Sequence, residues 1–160
     1  MIIRTAHTHD AEAICKIANP LIENTTVTFT TELKTVETVA NDIAAREGAF
    51  LVAETGGVVL GFATYFPFRS GPGYAAAKEH SINLAPEARG KGAGRALMDA
   101  LEEHARRNGV HSFCAAVSGE NQDAITFHEK VGFKTVGTIP QSGRKFERWI
   151  DLIFMQKILR

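Results

Sequence analysis

Three glycines alternate with other residues in the stretch ARGKGAGR, which runs from Ala88 to Arg95. Glycine loses more conformational freedom on folding than any other residue, so this run indicates a tight turn or a close approach of another group to the backbone. A strand pattern that ends at Pro86 precedes the glycines, and apolar residues at helical spacing follow them. Because the free N–H groups and the dipole of a helix start attract anions, the chemistry that we predict for this loop is phosphate binding.

Two common nucleotide-binding loops do not fit this spacing. The P-loop needs GxxxxGK followed by Ser or Thr, and the chain has no such sequence. The dinucleotide fingerprint GxGxxG starts acceptably at Gly90 and Gly92 but meets Arg95 where Gly or Ala is needed. The pattern that remains is Arg-x-x-Gly-x-Gly, from Arg89 through Gly92 to Gly94.

The composition predicts a single domain that covers residues 1–160. The chain is 44% hydrophobic, enough for one core, and its 18 basic and 18 acidic residues leave a net charge of zero. A neutral chain has no general attraction for nucleic acid or for anionic membranes, so we expect neither as a partner. The N-terminus lacks a signal-like apolar core, and no apolar run reaches the roughly 18 residues of a membrane span, so we expect a cytoplasmic protein.

The two cysteines, Cys15 and Cys114, stand apart from each other and from any CxxC pattern. We expect both to be reduced, because two lone thiols in a mixed chain are more typical of core residues than of a disulfide framework. No spacing of His, Cys or carboxylate residues indicates a metal site.

The elements that must position the glycine loop follow from the periodicity of the chain. Helices are predicted after an N-cap at Thr8 up to a break or restart at Pro20, over Val36–Arg46, from the glycine loop to Gly109, and over Asp123–Val131. Strands are predicted over Met1–Ala6, the AFLVAET and VVLGFATYF arms of a hairpin at Gly56–Gly57, Lys78–Leu84, SFCAAV, Phe133–Ile139 and Trp149–Ile158. This order predicts a mixed α/β (α+β) domain built on one largely antiparallel sheet.

Two segments carry a resemblance to a known family. LAPEARGKGAGRALMDAL resembles the acyl-CoA signature of the GCN5-related N-acetyltransferase (GNAT) superfamily, and GENQDAITFHEKVGF resembles its second cofactor segment. Within that superfamily, NTTVTF, KEHSINLAPEARGKGAG, ITFHEKVGF and GRKFERWIDLIFMQ are similar to the phosphinothricin and methionine sulfone or sulfoximine acetyltransferases. The resemblance implies the GNAT fold, with a twisted and mostly antiparallel sheet of about six or seven strands between helices.

The resemblance also implies that acetyl-CoA is the acetyl donor and that no metal takes part. In that family the loop amides hold the CoA pyrophosphate, and the central strand lies along the cofactor with a backbone N–H near Leu84 facing the thioester oxygen. The implied cofactor-binding residues are Ile82, Asn83, Leu84, Arg89, Gly90, Lys91, Gly92, Ala93, Gly94, Arg95, Asn121, Ala124, His128 and Lys130.

Two residues besides Leu84 are candidates for catalysis by resemblance. Glu79 occupies the position of the general base that deprotonates the acceptor amine, although a strand-end carboxylate could instead pair with Lys78 or an arginine. His128 stands where many members carry a tyrosine that protonates the departing thiolate. Packing against CoA or a hydrogen bond to it fits this position equally well. Strand alternation sends His80 to the opposite face from Glu79, where we expect a hydrogen-bonded structural histidine.

An amino-acid acceptor needs its carboxylate held and its side chain enclosed. The resemblance assigns this to Phe29, Arg69, Tyr74 and Glu79, since an arginine can grip a carboxylate while aromatic walls exclude water. A basic cluster in GRKFERW could close the pocket, across a homodimer of the kind typical of the family, or could be a solvated loop. We expect Trp149 in the core or in an interface.

The predicted function is therefore direct acetyl transfer to the amine of a small amino-acid acceptor of the phosphinothricin, methionine sulfone or methionine sulfoximine type. One alternative on the same fold is acetylation of protein N-termini or lysines. Another is an acyl-CoA-binding sensor without catalysis. The sequence leaves the physiological acceptor open, and with it the choice between detoxification and metabolism.

Overall fold

The computed structural model describes all 160 residues and contains one seven-stranded sheet. The strands are β1 (Ile2–Thr5), β2 (Phe50–Thr55), β3 (Val58–Pro67), β4 (Ala77–Leu84), β5 (Ser112–Ser118), β6 (Lys134–Lys145) and β7 (Arg148–Ile158). The helices are α1 (Ala11–Asn24), α2 (Val36–Ala45), α3 (Ala93–Arg107) and α4 (Gln122–Lys130). The predicted α/β class and the largely antiparallel sheet are confirmed.

The strand order is β1-β2-β3-β4-β5-β7-β6, and only β4 and β5 run parallel. Antiparallel neighbours need only short turns, such as Gly56–Gly57 between β2 and β3, where both glycines have positive φ. A parallel pair needs a long crossover, and α3 supplies it between β4 and β5. The glycine loop therefore lies at the start of the crossover, directly after the central strand.

Two separate cores cover the two faces of the sheet. One core joins α3 to strands β2, β3, β5 and β7, and its fully buried members include Leu97, Leu101 and Phe113. The other joins α1 and α2 to β2 and β3 through residues such as Ile14 and Val39. Because both faces are covered, side chains that alternate along β4 point alternately into two different layers.

The N-terminal helix corrects two predictions. It begins at Ala11 rather than after a Thr8 cap, because Thr8–Asp10 form a 3₁₀ turn in which Asp10 accepts a hydrogen bond from the His7 N–H. It also continues through Pro20 to Asn24. Proline removes only the bond to the Lys16 carbonyl, and both residues lie on the exposed side, where water can serve that carbonyl.

The last two strands correct one further prediction, the end of β6, and leave only one of the two places expected for Trp149, an interface. β6 does not end at Ile139 but continues to Lys145, with register irregularities at Thr135/Gly137 and at Ile139/Gly143. Trp149 is 58% exposed and therefore does not lie in the core of the chain. Its ring is covered on one side by the Arg144 guanidinium, 4.7 Å from the ring centroid.

Both cysteines are free thiols, as predicted. No helix in the structure is long and apolar enough to cross a bilayer.

Gly143 offers a test of how β6 packs against the segment before α2. A Cβ at Gly143 would overlap the Phe29 ring, so Gly143→Ala must push the ring or the strand aside. We expect a loss of about 1–3 kcal/mol in the free energy of unfolding, measured by urea denaturation. Gly137→Ala is the matched control in the same strand, because a Cβ there meets nothing within 4 Å. Equal stability of the two variants would contradict this packing.

Candidate active site

The central feature of the site is a split in the middle of the sheet. β4 and β5 pair only from Ala77↔Ser112 to Glu79↔Cys114, after which the strands part. On its other side β4 stays paired with β3 as far as Leu84. The last five residues of β4 therefore have one free edge, which opens into the gap before β5.

The register shows which peptide groups point into this gap. Ala77 and Ala85 both exchange hydrogen bonds with the β3 side, because the Phe68 N–H donates to the Ala77 carbonyl and the Ala85 N–H donates to Leu60. Alternation in an antiparallel ladder then directs the N–H and C=O groups of Ile82 and Leu84 away from β3, towards the gap. The structure places Leu84 where a free backbone donor was expected.

Asn83 is oriented differently from its two neighbours. Its peptide groups face Phe62 of β3, and its side chain lines a cavity on the α1 and α2 side of the sheet. Of the three β4 residues expected along the cofactor, only Ile82 and Leu84 offer backbone groups to the split.

The glycine loop adopts the left-handed backbone that its sequence suggested. Gly90 has φ +71° and Gly92 has φ +84°, and Gly92 is the N-cap residue of α3. A Cβ at either position would meet nothing within 4 Å, so open space lies beside the loop. The free N–H groups of the first turn, from Ala93 onwards, start at this point, with the exposed side chains of Arg89 and Lys91 beside them.

Gly94 serves a different purpose from the two loop glycines. A Cβ there would lie 3.1 Å from the Phe127 ring of α4 and 3.5 Å from Leu84. Its small size therefore lets α3 approach both α4 and the end of β4. The close approach that the glycine run suggested is, at this position, an internal packing contact.

Helix α4 borders the split from the other side. The Asn121 side chain caps the helix by accepting a hydrogen bond from the Ala124 N–H at 3.1 Å. The Arg95 guanidinium donates to the Lys130 carbonyl at 2.9 Å, which ties the start of α3 to the end of α4. These residues frame the cleft, and the Lys130 side chain is exposed.

Glu79 lies half-buried at the point where β4 and β5 part. Burial raises the pKa of this carboxyl above its ordinary value. Burial and the nearby Glu79 charge also raise the pKa of the Cys114 thiol to about 11, so Cys114 is a neutral thiol at physiological pH. Neither Lys78 nor any arginine forms a salt bridge with Glu79, so the alternative of a structural ion pair is not what the fold provides.

His80 and His128 form a buried pair beneath the split. His128 Nδ1 lies 2.7 Å from the Ala124 carbonyl, which can only accept, so Nδ1 carries the proton and Nε2 is an acceptor. His80 Nε2, 3.1 Å from that atom, is then the donor, and His80 Nδ1 is left without a partner. Burial lowers the pKa of His128 and lowers the pKa of His80 to about 3. Both rings are therefore neutral at physiological pH, and the expected structural role of His80 fits this geometry.

The β6–β7 hairpin closes on its own chain. Lys145 is buried and donates to the Thr28 carbonyl at 2.9 Å, next to the contact between Phe29 and Gly143. Arg148 forms a two-pronged pair with Glu120, at 2.7 and 3.0 Å. The NTTVTF segment and the hairpin thus form one wall near the end of β5.

Arg148, together with a hydrogen bond from Thr26, lowers the pKa of Glu120 to about 2. Glu120 is therefore charged at any physiological pH and keeps the hairpin tied to this wall.

The remaining acceptor candidates lie in the exposed loop between β3 and β4. Arg69 stacks over the Tyr74 ring at 5.5 Å, and Phe68 joins Tyr74 edge-on.

Arg46 was not identified from the sequence; it follows α2 and lines a cavity on the same face as Glu79. Cations are common after a helix because they interact favourably with the helix dipole. Only the tertiary structure therefore shows that Arg46 lies in a cavity near Glu79.

The arrangement fits acetyl-CoA. A free strand edge suits an amide-bearing chain, an open helix start with left-handed glycines suits a pyrophosphate, and a half-buried carboxylate stands beside the split. The structure has no group of three or more His, Cys, Asp or Glu side chains placed to hold a metal ion. These features define an acyl-CoA-dependent transferase.

Residues 16–133 match the Acetyltransferase (GNAT) family, and the chain belongs to it. It is 38% identical to an L-methionine sulfoximine/L-methionine sulfone acetyltransferase of Pseudomonas paraeruginosa, over 96% of this chain and 92% of that protein. A ribosomal-protein-alanine N-acetyltransferase structure from Brucella melitensis superposes with a TM-score of 0.94 at 40% identity, covering 99% and 100% of the two chains. A Sinorhizobium meliloti phosphinothricin acetyltransferase in complex with acetyl-CoA superposes with a TM-score of 0.92 at 31% identity, covering 99% and 88%. The chain is accordingly an N-acetyltransferase that uses acetyl-CoA.

The raised pKa of Glu79 predicts how the free energy of unfolding depends on pH. The folded protein disfavours the ionised carboxylate, so above the folded pKa Glu79 lowers the free energy of unfolding. We expect Glu79→Gln to be more stable than the wild type at pH 7 and equally stable below about pH 4, where the carboxyl is protonated in both states. Thermal denaturation against pH measures this, with the exposed Glu87→Gln as control. A destabilised Glu79→Gln at pH 7 would mean that the carboxylate has a stabilising partner.

Proposed function

We propose that the chain transfers the acetyl group of acetyl-CoA directly to the α-amine of a small amino acid of the methionine sulfone, methionine sulfoximine or phosphinothricin type. The observation that carries the proposal is the half-buried, unpaired Glu79 at the point where β4 and β5 separate. The activities for which the relatives from Pseudomonas and Sinorhizobium are named support the class of acceptor.

Glu79 is the general base in this proposal. An amine is mostly protonated at neutral pH, and only its neutral form attacks a carbonyl. A carboxylate whose pKa is raised by burial takes the amine proton more readily than an exposed one, directly or through a water. Acetyl-CoA supplies an acetyl group that is already activated as a thioester, so this chain needs no nucleophile of its own.

The backbone supplies the oxyanion donor and the anchor for the cofactor. The N–H of Leu84 faces the split and would donate to the thioester oxygen, a type of contact worth roughly 3 kcal/mol in other enzymes. Ile82 would pair with the cofactor's amides.

The amides from Gly90 to Arg95, with Ala93 and Gly94 in the first turn of α3, would hold the pyrophosphate, and Arg89 and Lys91 add positive charge. Asn121, Ala124 and Lys130 would line the far side of the cofactor. Asn83 has its peptide groups turned to β3 and its side chain in the cavity on the α1 and α2 side, so we do not keep it among the cofactor-binding residues.

His128 is assigned a positioning role rather than that of an acid. Its ring is buried and neutral, its one N–H at Nδ1 is donated to the Ala124 carbonyl, and Nε2 already accepts from His80, so neither nitrogen has a proton free for the thiolate at physiological pH. A thiolate is a good leaving group, and its proton can come from water.

The acceptor is enclosed by aromatic and cationic groups. Arg69, braced on the Tyr74 ring, would hold its carboxylate, and Phe29 would form the wall beneath the hairpin.

We also assign to the chain a single catalytic domain over residues 1–160, a cytoplasmic location and a homodimer. Three exposed side chains of the β6–β7 hairpin, Ile139, Phe146 and Trp149, support the dimer.

A second candidate is acetylation of a protein N-terminus. It is favoured by the name of the Brucella protein, which is 40% identical to this chain. An open cleft with an N-terminal amine at Glu79 would use the same chemistry, so the acceptor panel must contain peptides.

The first activity prediction concerns Glu79. CoA release is measured with methionine sulfone, methionine sulfoximine, phosphinothricin, ordinary amino acids and N-terminal peptides. We expect turnover on the first three, and a loss of about 100- to 10,000-fold in kcat for Glu79→Gln. The wild-type kcat/KM should decrease at acidic pH, with an apparent pKa above the ordinary glutamate value of 4.5. Glu87→Gln should be unaffected. Turnover of peptides alone would favour the second candidate, and binding of acetyl-CoA without any turnover would favour a sensor.

The second activity prediction concerns His128. Because the ring is neutral and sequestered, we expect His128→Gln to lower kcat less than tenfold and to leave the shape of the pH profile unchanged. Removal of a general acid would instead lower kcat about 100-fold or more and would abolish the decrease in rate at alkaline pH. That second result would restore the acid role.

A further inference from the structure

A cavity of about 280 Å³ lies between the sheet and helices α1 and α2, on the same face of β4 as Glu79. Its walls come from both helices, the segment before α2 and strands β2, β3 and β4. The lining residues used below are Lys34, Asp42, Arg46, Thr64, Phe66 and Ser81.

Arg46 is fixed in this cavity without a counter-ion. Its Nη1 donates to the Thr64 hydroxyl at 2.7 Å, and its guanidinium lies 5.0 Å from the centroid of the Phe66 ring. Thr64 is buried and itself donates to the Ala49 carbonyl at 2.7 Å, which fixes the acceptor that orients Arg46. Every other N–H of the guanidinium is left without a partner within the chain, and five donors are available in such a group.

The charge of the cavity also favours a ligand with negative or strongly polar oxygens. Lys34 and Arg46 contribute two cations, and Asp42 contributes one carboxylate that forms no salt bridge with either. One positive charge is therefore in excess. An arginine held by an aromatic ring and a hydroxyl is arranged to present a planar set of donors.

The sheet register sets the distance between this cavity and Glu79. Phe66 pairs with Glu79 and Thr64 pairs with Ser81, and paired residues point to the same face of a sheet. Glu79 and Ser81 are two residues apart, which is about 7 Å along a strand. An amino acid with its α-amine at Glu79 could therefore extend its side chain along β4 into the cavity.

We propose that Arg46 binds the oxygen atoms at the distal end of the acceptor's side chain, and so selects sulfone, sulfoximine or phosphinate groups over apolar ends. This inference rests on the proposed function, and it adds a specificity-determining residue on a different element from the residues assigned to the acceptor carboxylate. The Thr64 hydroxyl and the Phe66 ring position Arg46.

The test compares acceptors that share an amino-acid head and differ at the distal end. Methionine sulfone and norleucine are titrated calorimetrically into the protein in the presence of CoA, which prevents turnover, and kcat/KM is then measured for both with acetyl-CoA. The variants are Arg46→Met and Arg46→Lys. Arg107→Met is the control, because Arg107 is exposed on α3 and pairs only with Glu103.

For Arg46→Met we expect the Kd and KM of methionine sulfone to rise about 10- to 100-fold, which is the range for losing charge-assisted hydrogen bonds. Norleucine and acetyl-CoA should change less than threefold. Arg46→Lys should be intermediate, because it keeps the charge and loses the planar donors. Arg107→Met should equal the wild type, and melting temperatures show whether each variant is folded.

Three outcomes overturn the inference. Equal losses for methionine sulfone and norleucine would make Arg46 a structural residue, and no loss for either would remove it from the acceptor site. In both cases the proposed function survives, because the wild type still acetylates small amino acids. If the wild type neither binds nor acetylates either compound, the proposed function itself fails and this inference fails with it.

Discussion

The separation of β4 from β5 after Glu79 is the feature on which the rest of the site depends. A sheet that continued to pair would satisfy the peptide groups of Ile82 and Leu84 internally and leave no edge for a ligand. Each strand stays paired on its other side, β4 with β3 and β5 with β7 along its whole length, so both strands remain ordered where they part. The Gly94 contact lets α3 and α4 pack against the end of β4. The edge is thus presented by a rigid frame.

Charge at the split is controlled by burial more than by ion pairs. The pKa of Glu79 is raised and its carboxylate is unpaired, whereas the buried Glu102 on α3 is bound by Lys157 of β7 and by Arg106. The difference separates a carboxylate that holds structure from one that can exchange a proton. The neutral pair of His80 and His128 fits the same environment, because a charged imidazole there would cost folding energy as the pH falls below the ordinary histidine range.

The sequence allowed prediction of those parts of the site that depend on local backbone chemistry. Gly90 and Gly92 indicated a left-handed turn at a helix start, and Pro86 marked the end of β4, so residue types alone were enough to place the loop. Pro20 misled because a proline's effect on a helix depends on which side of the helix it lies. Trp149 is not in the core because size alone does not decide burial, and an arginine covers its ring instead; an interface for Trp149 stays a prediction. Arg46 and the His80–His128 pair could not be found from the sequence, since their meaning arises from contacts between residues 18 and 48 positions apart.

The wall beside the cleft is held in place by contacts within the chain. The β6–β7 hairpin is fastened to the NTTVTF segment by the Lys145 contact with Thr28 and to the end of β5 by the Arg148–Glu120 pair. Opening this wall would break the hydrogen bond from Lys145 to the Thr28 carbonyl and would separate the Arg148–Glu120 ion pair, so neither end is free to move alone. A wall fixed at both ends limits the width of the cleft, and under the proposed function this favours a compact acceptor with its amine at Glu79 over a long polypeptide that needs an open groove.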